Sequence, residues 1–169
     1  MILDKVNMPN DLKNLSIDEM KTLADEIREC IIKKVNTIGG HMAPNLGIVE
    51  ATIALHYVFN SPVDKFVFDV SHQCYPHKIL TGRKDKMNTI RKLDGIAGFP
   101  KTSESQTDCF NTGHSSTSIS AGLGMAAARE ITGEDYHVVS VIGDGSLTGG
   151  MAYEALNNAS QINKNFIIY

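Results

Sequence analysis

The stretch YHVVSVIGDGSLTGGMAYEALNNASQINKNFIIY, residues 136–169, changes character three times along its length. Tyr136 to Ile142 is a short run of β-branched and apolar residues, the pattern of a buried strand. Gly143-Asp144-Gly145 is a sharp turn. Gly150 to Ile162 has helical spacing, and Asn165 to Tyr169 begins a second strand. Two consecutive strands joined by a crossover helix must run parallel. The fold class expected is therefore α/β, a parallel sheet with helices on both faces, with Asp144 at the carboxyl end of a strand.

Upstream, Lys65 to Val70 (KFVFDV) reads as another strand, and SSTSISAGLGMAAARE, residues 115–130, as a helix of small residues that lets a second backbone approach. Residues 15–36 predict a surface helix. Ser16 and Glu19 form a capping box, Leu15 and Met20 the hydrophobic staple around it, and Gly39-Gly40 the stop. A polar loop, His41 to Asn45, leads into a second helical stretch, Leu46 to Phe59, which is apolar nearly all round and is expected to be buried. Residues 71–83 read as a loop and a short helix. Residues 84–110 read as a helix near Lys86 to Leu93 and an irregular excursion. No linker, low-complexity tract or repeat interrupts the chain, so one domain is expected.

The 169 residues are 42% hydrophobic and 21% charged, with a net charge of −3. That composition suits a soluble domain with a core and gives no electrostatic reason to bind nucleic acid or an anionic membrane. No apolar run reaches the roughly 20 residues of a membrane span. The start, MILDKVNMPNDLKNL, lacks the pattern of a secretory signal. Cys30, Cys74 and Cys109 are an odd set without CxxC spacing, read as reduced thiols of a cytoplasmic protein.

Ligands of open α/β sheets sit beyond the carboxyl ends of the strands. In VIGDGSLTGG, residues 141–150, the glycines let backbone N–H groups face diphosphate oxygens, and Asp144 offers a hard carboxylate oxygen to Mg²⁺. A GDG alone serves equally as a plain βα turn with Asp144 capping the helix. FNTGHSSTSIS, residues 110–120, sets His114 before Ser115 and Ser116, either of which can cap the helix that follows. In FDVSHQCYPHKILTGR, residues 68–83, His72 follows a strand end. In TIGGHMAPNLGIVEAT, residues 37–52, His41 stands between a glycine pair and a helix entry, with Pro44 suited to a turn. Three of the six histidines thus occupy turn-containing loops at element ends, where imidazole can move protons or bind phosphate and sugar oxygens.

Taken together and in this order, GGHMAPNLG, DVSHQCYPHKILTGR, GFPKTSES, TGHSSTSIS and VIGDGSLTGGMAYEALNNA resemble the N-terminal region of the 1-deoxy-D-xylulose-5-phosphate synthases, relatives of transketolase. The resemblance implies the thiamine diphosphate-binding fold and a condensation of pyruvate with glyceraldehyde 3-phosphate that releases CO₂ and feeds isoprenoid, thiamine and pyridoxal synthesis. It implies thiamine diphosphate and Mg²⁺ as cofactors, with Asp144 as the first metal ligand. Gly145 and Ser146 would line the diphosphate, and His72, Gly113, His114 and Ser115 would touch the cofactor. His41 would transfer a proton or position substrate, so that His41, His72 and His114 form the catalytic histidines. The family pattern has Gly-Ser where Ala43-Pro44 stand, glycine at Ser71 and Asn111, and alanine at Cys74. It continues to a later asparagine on Mg²⁺, and to a pyrimidine-binding domain whose glutamate activates the cofactor. Residues 1–169 are accordingly expected to be the N-terminal part of the diphosphate- and Mg²⁺-binding domain, inactive alone and homodimeric when full length. A half of a split enzyme, a paralogue acting on another ketose or aldehyde, and a non-catalytic phosphate-binding remnant are the competing readings.

Overall fold

The computed structural model describes residues 1–113, 115–160 and 165–169. They form two compact units, residues 1–60 with 72–98 and residues 61–71 with 99–169.

The first unit is helical. It holds α1 (Ile2–Lys5), a 3-10 turn (Pro9–Asn14), α2 (Ile17–Ile38), α3 (Ala43–Leu46), α4 (Val49–Val58) and α5 (Tyr75–Lys78). The α2 cap is the one expected: the Ser16 hydroxyl accepts from the Glu19 N–H, and the Glu19 carboxylate accepts from the Ser16 N–H at 2.9 Å. Gly39, at φ +76°, stops the helix where a side chain would strain the backbone. One face of α2 buries Leu23, Ile27 and Ile31 completely, and each contributes about 1.5–3 kcal/mol by leaving water. The N-terminal segment is held at both ends of α1. The Glu26 carboxylate accepts from the Ile2 and Leu3 N–H groups, and the Lys84 ammonium donates to the carbonyls of Leu3, Asp4 and Val6 at 3.0, 3.2 and 2.9 Å.

Two sequence expectations for this unit are corrected. The stretch Leu46 to Phe59 is not one buried helix. Pro44 opens the short α3 instead of a turn, a break at Gly47-Ile48 follows, and α4 leaves Ala54, Tyr57 and Val58 exposed. These three line an apolar groove with Ile17, Met20 and Ile53. An all-round apolar pattern carries no information about which side faces the core, so burial could not be assigned from it. The helix expected over Lys86 to Leu93 is a 3-10 turn, Lys84–Thr89. Beyond it the chain doubles back, with Arg91 and Asp94 at positive φ and the Arg91 N–H on the Ile96 carbonyl at 2.8 Å. A Cβ on Gly95 would lie 1.9 Å from the Thr89 carbonyl oxygen, so this loop requires glycine.

The second unit carries β1 (Lys65–Phe68), α6 (Ser118–Thr132), β2 (Val138–Val141), α7 (Gly150–Ala159) and β3 (Phe166–Ile168). The sheet order is β1-β2-β3 and both pairings are parallel, with Val139 opposite Phe66 on one side and Ile167 on the other. All four β2 residues are buried, as a central strand covered on both faces requires. The end of the helix expected up to Ile162 lies outside the described residues. The small residues of α6 act as expected at one point: a Cβ on Gly122 would stand 2.5 Å from the Ser140 Oγ of β2 and 2.6 Å from the Phe166 ring of β3.

Gly122→Ala should therefore destabilise the protein by about 1–3 kcal/mol through overpacking. Gly124, on the same helix but facing open space, should give the opposite sign on Gly124→Ala, a gain of about 0.5–1 kcal/mol from helix propensity and unfolded-chain entropy. Urea unfolding of the two variants checks both signs.

A second prediction concerns His56 of α4 and His77 of α5, which stack with ring centroids 5.1 Å apart and share a hydrogen bond of 2.9 Å between Nε2 and Nδ1. Burial first, then His77, Arg83 and Lys13, hold the His56 imidazole well below its ordinary value. The folded state thus keeps His56 neutral where the unfolded chain protonates it. Its contribution is complete above about pH 6.5 and is lost as pH falls below that, with a slope of up to about 1.4 kcal/mol per pH unit for one proton. His56→Gln should flatten the dependence of the urea midpoint between pH 7.5 and 5.5.

Candidate functional site

Each unit carries part of the set of residues singled out in the sequence. In the first unit the glycine pair before His41 is required twice over. Gly39 and Gly40 both have positive φ, and a Cβ on Gly40 would meet the Tyr75 hydroxyl at 2.8 Å. The His41 N–H donates to that hydroxyl at 3.4 Å. The His41 and His72 rings meet edge to face, centroids 5.4 Å apart and planes at 75°. Both residues are half-buried, and the Nδ1 atom of each ring is buried.

In the second unit Asp144 stands exposed just past the carboxyl end of β2, where ligands of parallel sheets bind. Its own carbonyl accepts the Leu147 N–H, which starts a 3-10 turn, Ser146–Thr148. Gly149 caps α7 with no side-chain bond to the first helical N–H groups. Around the turn, Cβ atoms built on Gly143, Gly145 and Gly150 would touch nothing. The backbone is thus bare on the side where an anion could approach. The loop of Gly113 and Ser115 lies against this turn, because the Ser116 Oγ donates to the Ser146 carbonyl at 2.9 Å and would meet a Cβ on Gly149 at 2.5 Å. Gly113, Ser115, Asp144, Gly145 and Ser146 therefore belong to one neighbourhood. His114 lies outside the described residues.

The cap of α6 differs from the expectation. Neither Ser115 nor Ser116 starts the helix, which begins at Ser118 after Thr117. The capping acceptor comes instead from Asp69 at the end of β1, whose Oδ2 takes the Ser118 N–H at 2.9 Å. Ser115 bonds back to the Gly113 carbonyl, and Ser116 takes positive φ to reach Ser146. After Asp69, Val70 and Ser71 sit at φ 53° and 72°, a left-handed pair costly for non-glycine residues, above all for β-branched valine. The Ser71 hydroxyl donates to the Phe68 carbonyl and meets the Thr112 hydroxyl. Asp69 was not legible as a cap, since a side chain from another strand leaves no mark near the helix it caps. Asn45, fully buried between His41 and His72, was also missed.

A single exposed carboxylate, Asp144, is the group in this turn that could hold a metal ion. Among the described residues no three His, Cys, Asp or Glu side chains gather into a metal cluster. One exposed carboxylate beside a glycine-bare turn suits a Mg²⁺ shared with a phosphate, which takes one or two protein ligands and keeps waters. The residues present fit a diphosphate with its magnesium. Among the described residues no helix is long and apolar enough to cross a membrane.

Comparison with known proteins agrees with this fold. The family model described as 1-deoxy-D-xylulose-5-phosphate synthase matches residues 3–169. The 1-deoxy-D-xylulose-5-phosphate synthase of Caldanaerobacter subterraneus subsp. tengcongensis is 58% identical over 99% of this chain and 27% of its own length. That of Syntrophomonas wolfei is 59% identical over 99% of this chain and 26% of its own. The Cannabis sativa protein named 1-deoxy-D-xylulose-5-phosphate synthase 1, chloroplastic, is 57% identical over the same share of this chain and 23% of its own. The chain spans about a quarter of the length of these curated relatives, and by the match along nearly all of its residues it belongs to the 1-deoxy-D-xylulose-5-phosphate synthase family.

Proposed function

We propose that the protein carrying this chain condenses pyruvate with glyceraldehyde 3-phosphate to 1-deoxy-D-xylulose 5-phosphate with loss of CO₂, supplying isoprenoid, thiamine and pyridoxal synthesis. The observation that carries this reading is the exposed Asp144 carboxylate at the end of β2, beside a glycine-bare turn, in a chain of this family. When bound, thiamine diphosphate supplies the electron-sink chemistry that lets a keto acid lose CO₂, and the protein supplies binding and orientation. Asp144 holds Mg²⁺. Gly145 and Ser146 would line the diphosphate, and Gly113, His114 and Ser115 would contact the cofactor. His72 contacts the cofactor. His41, edge-on to His72, positions substrate or moves a proton at its ring nitrogens, work an imidazole performs near neutral pH.

Residues 1–169 form, in this reading, the N-terminal part of the diphosphate- and Mg²⁺-binding domain, with the pyrimidine-binding and C-terminal domains elsewhere in a homodimeric protein. A cytoplasmic setting accords with three free cysteines, of which burial pushes the Cys109 thiol up to about 11, far from the reactive thiolate range.

Two substitutions should separate binding from turnover. Asp144→Ala removes a charged contact worth about 1.5–3 kcal/mol, roughly ten- to a hundredfold in cofactor affinity, and activity should go with it. His41→Ala should leave thiamine diphosphate and Mg²⁺ affinity within about threefold, under 0.7 kcal/mol, and lower turnover alone. Calorimetry with both cofactors, alongside a product assay, reads the two effects. Unchanged Mg²⁺-dependent binding in Asp144→Ala would move the metal elsewhere. Pyruvate decarboxylation without condensation onto glyceraldehyde 3-phosphate would assign another acceptor.

A further inference from the structure

Asn45 has no exposed surface. Its side chain joins two segments distant in sequence, residues 41–45 and 72–75. Nδ2 donates to the His41 carbonyl at 2.6 Å and to the His72 carbonyl at 2.8 Å, and Oδ1 accepts the Tyr75 N–H at 2.8 Å. The partners dictate the amide's orientation. Two carbonyls need the NH₂ and one N–H needs the oxygen, so no flipped arrangement satisfies them. No other side chain fits this role. Aspartate has the shape but neither donor, leucine has no polar atoms, and glutamine is one methylene too long for a packed interior. Tyr75 closes the loop, since its hydroxyl receives the His41 N–H and packs on Gly40.

The carbonyls that Asn45 grips belong to the two histidines whose rings meet edge to face. The backbone fixes the point and range of rotamers from which each ring projects, so one carboxamide holds the relative placement of the two residues that carry the imidazoles. We infer that Asn45 is a positioning residue for the His41–His72 pair, holding the two rings in the arrangement that turnover uses. The inference rests on the proposed roles of those histidines. Asn45 itself acts only through them.

The test compares Asn45→Ala with Thr52→Val in the full-length protein with thiamine diphosphate and Mg²⁺. Thr52 is equally buried in the same unit and bonds only along its own helix, to the Ile48 carbonyl. Asn45→Ala should lower kcat at least tenfold, change the KM for cofactor less than threefold, and displace the pH profile of kcat. It should also move the ring-proton NMR signals of His41 and His72 together. Thr52→Val should do none of these. The wild type gives a reading that needs no variant: the Asn45 carboxamide protons should exchange with water at least a hundredfold more slowly than those of exposed Asn10. A folded Asn45→Ala protein with unchanged kcat, pH profile and histidine signals overturns the inference, as does an Asn45 carboxamide that exchanges as fast as Asn10. If Asn45→Ala does not fold, the wild-type exchange rate decides. If the wild-type protein makes no product, the proposed function falls, while the histidine signals and the exchange rate still decide whether Asn45 holds the pair.

Discussion

The hydrogen bonding of β2 on both of its edges is the constraint on which the second unit depends. A parallel strand cannot return directly to its neighbour, so α6 must carry the chain from β1 to β2 and α7 from β2 to β3. Each crossover places a loop at the carboxyl end of a strand. Asp69 ends β1, and Asp144 stands beyond β2, so one topological requirement puts two carboxylates at strand ends. They are put to different uses. Asp69 is buried and ties β1 to the start of α6, while Asp144 remains in solvent beside bare backbone.

Much of this fold is legible because its signals are local. The Ser16–Glu19 box, the glycines after Ile38, the β-branched runs at 65–70 and 136–142 and the turn at 143–145 each act within a few residues. The failures are equally physical. Lys86 to Leu93 has apolar spacing, but Met87 and Ile90 are anchors of a loop that folds back on Thr89. The exposure of Tyr57 and Val58 depends on what packs against α4, which its own composition does not reveal.

The site divides along the same line. His41, His72 and Asp144 stand out because glycines and element ends flank them. Asn45 and Asp69 do not, although they organise what surrounds the conspicuous residues. A buried polar side chain is defined by partners it meets only after folding, here across 27 and 49 residues. Such groups are costly when unsatisfied, and that cost makes their geometry specific once the partners are in place.

The left-handed Ser71 acquires a further meaning beside Asn111, since the resemblance described above implies glycine at both positions. Glycine would adopt φ 72° without cost. Serine strains the backbone but gains a hydroxyl that bonds to Phe68 and meets Thr112. The residue before Thr112 is the other departure, Asn111, whose Oδ1 accepts the Thr102 N–H at 2.8 Å. Two side chains thus brace adjoining positions of one loop. The loop therefore rests on side-chain braces rather than on the conformational freedom of glycine.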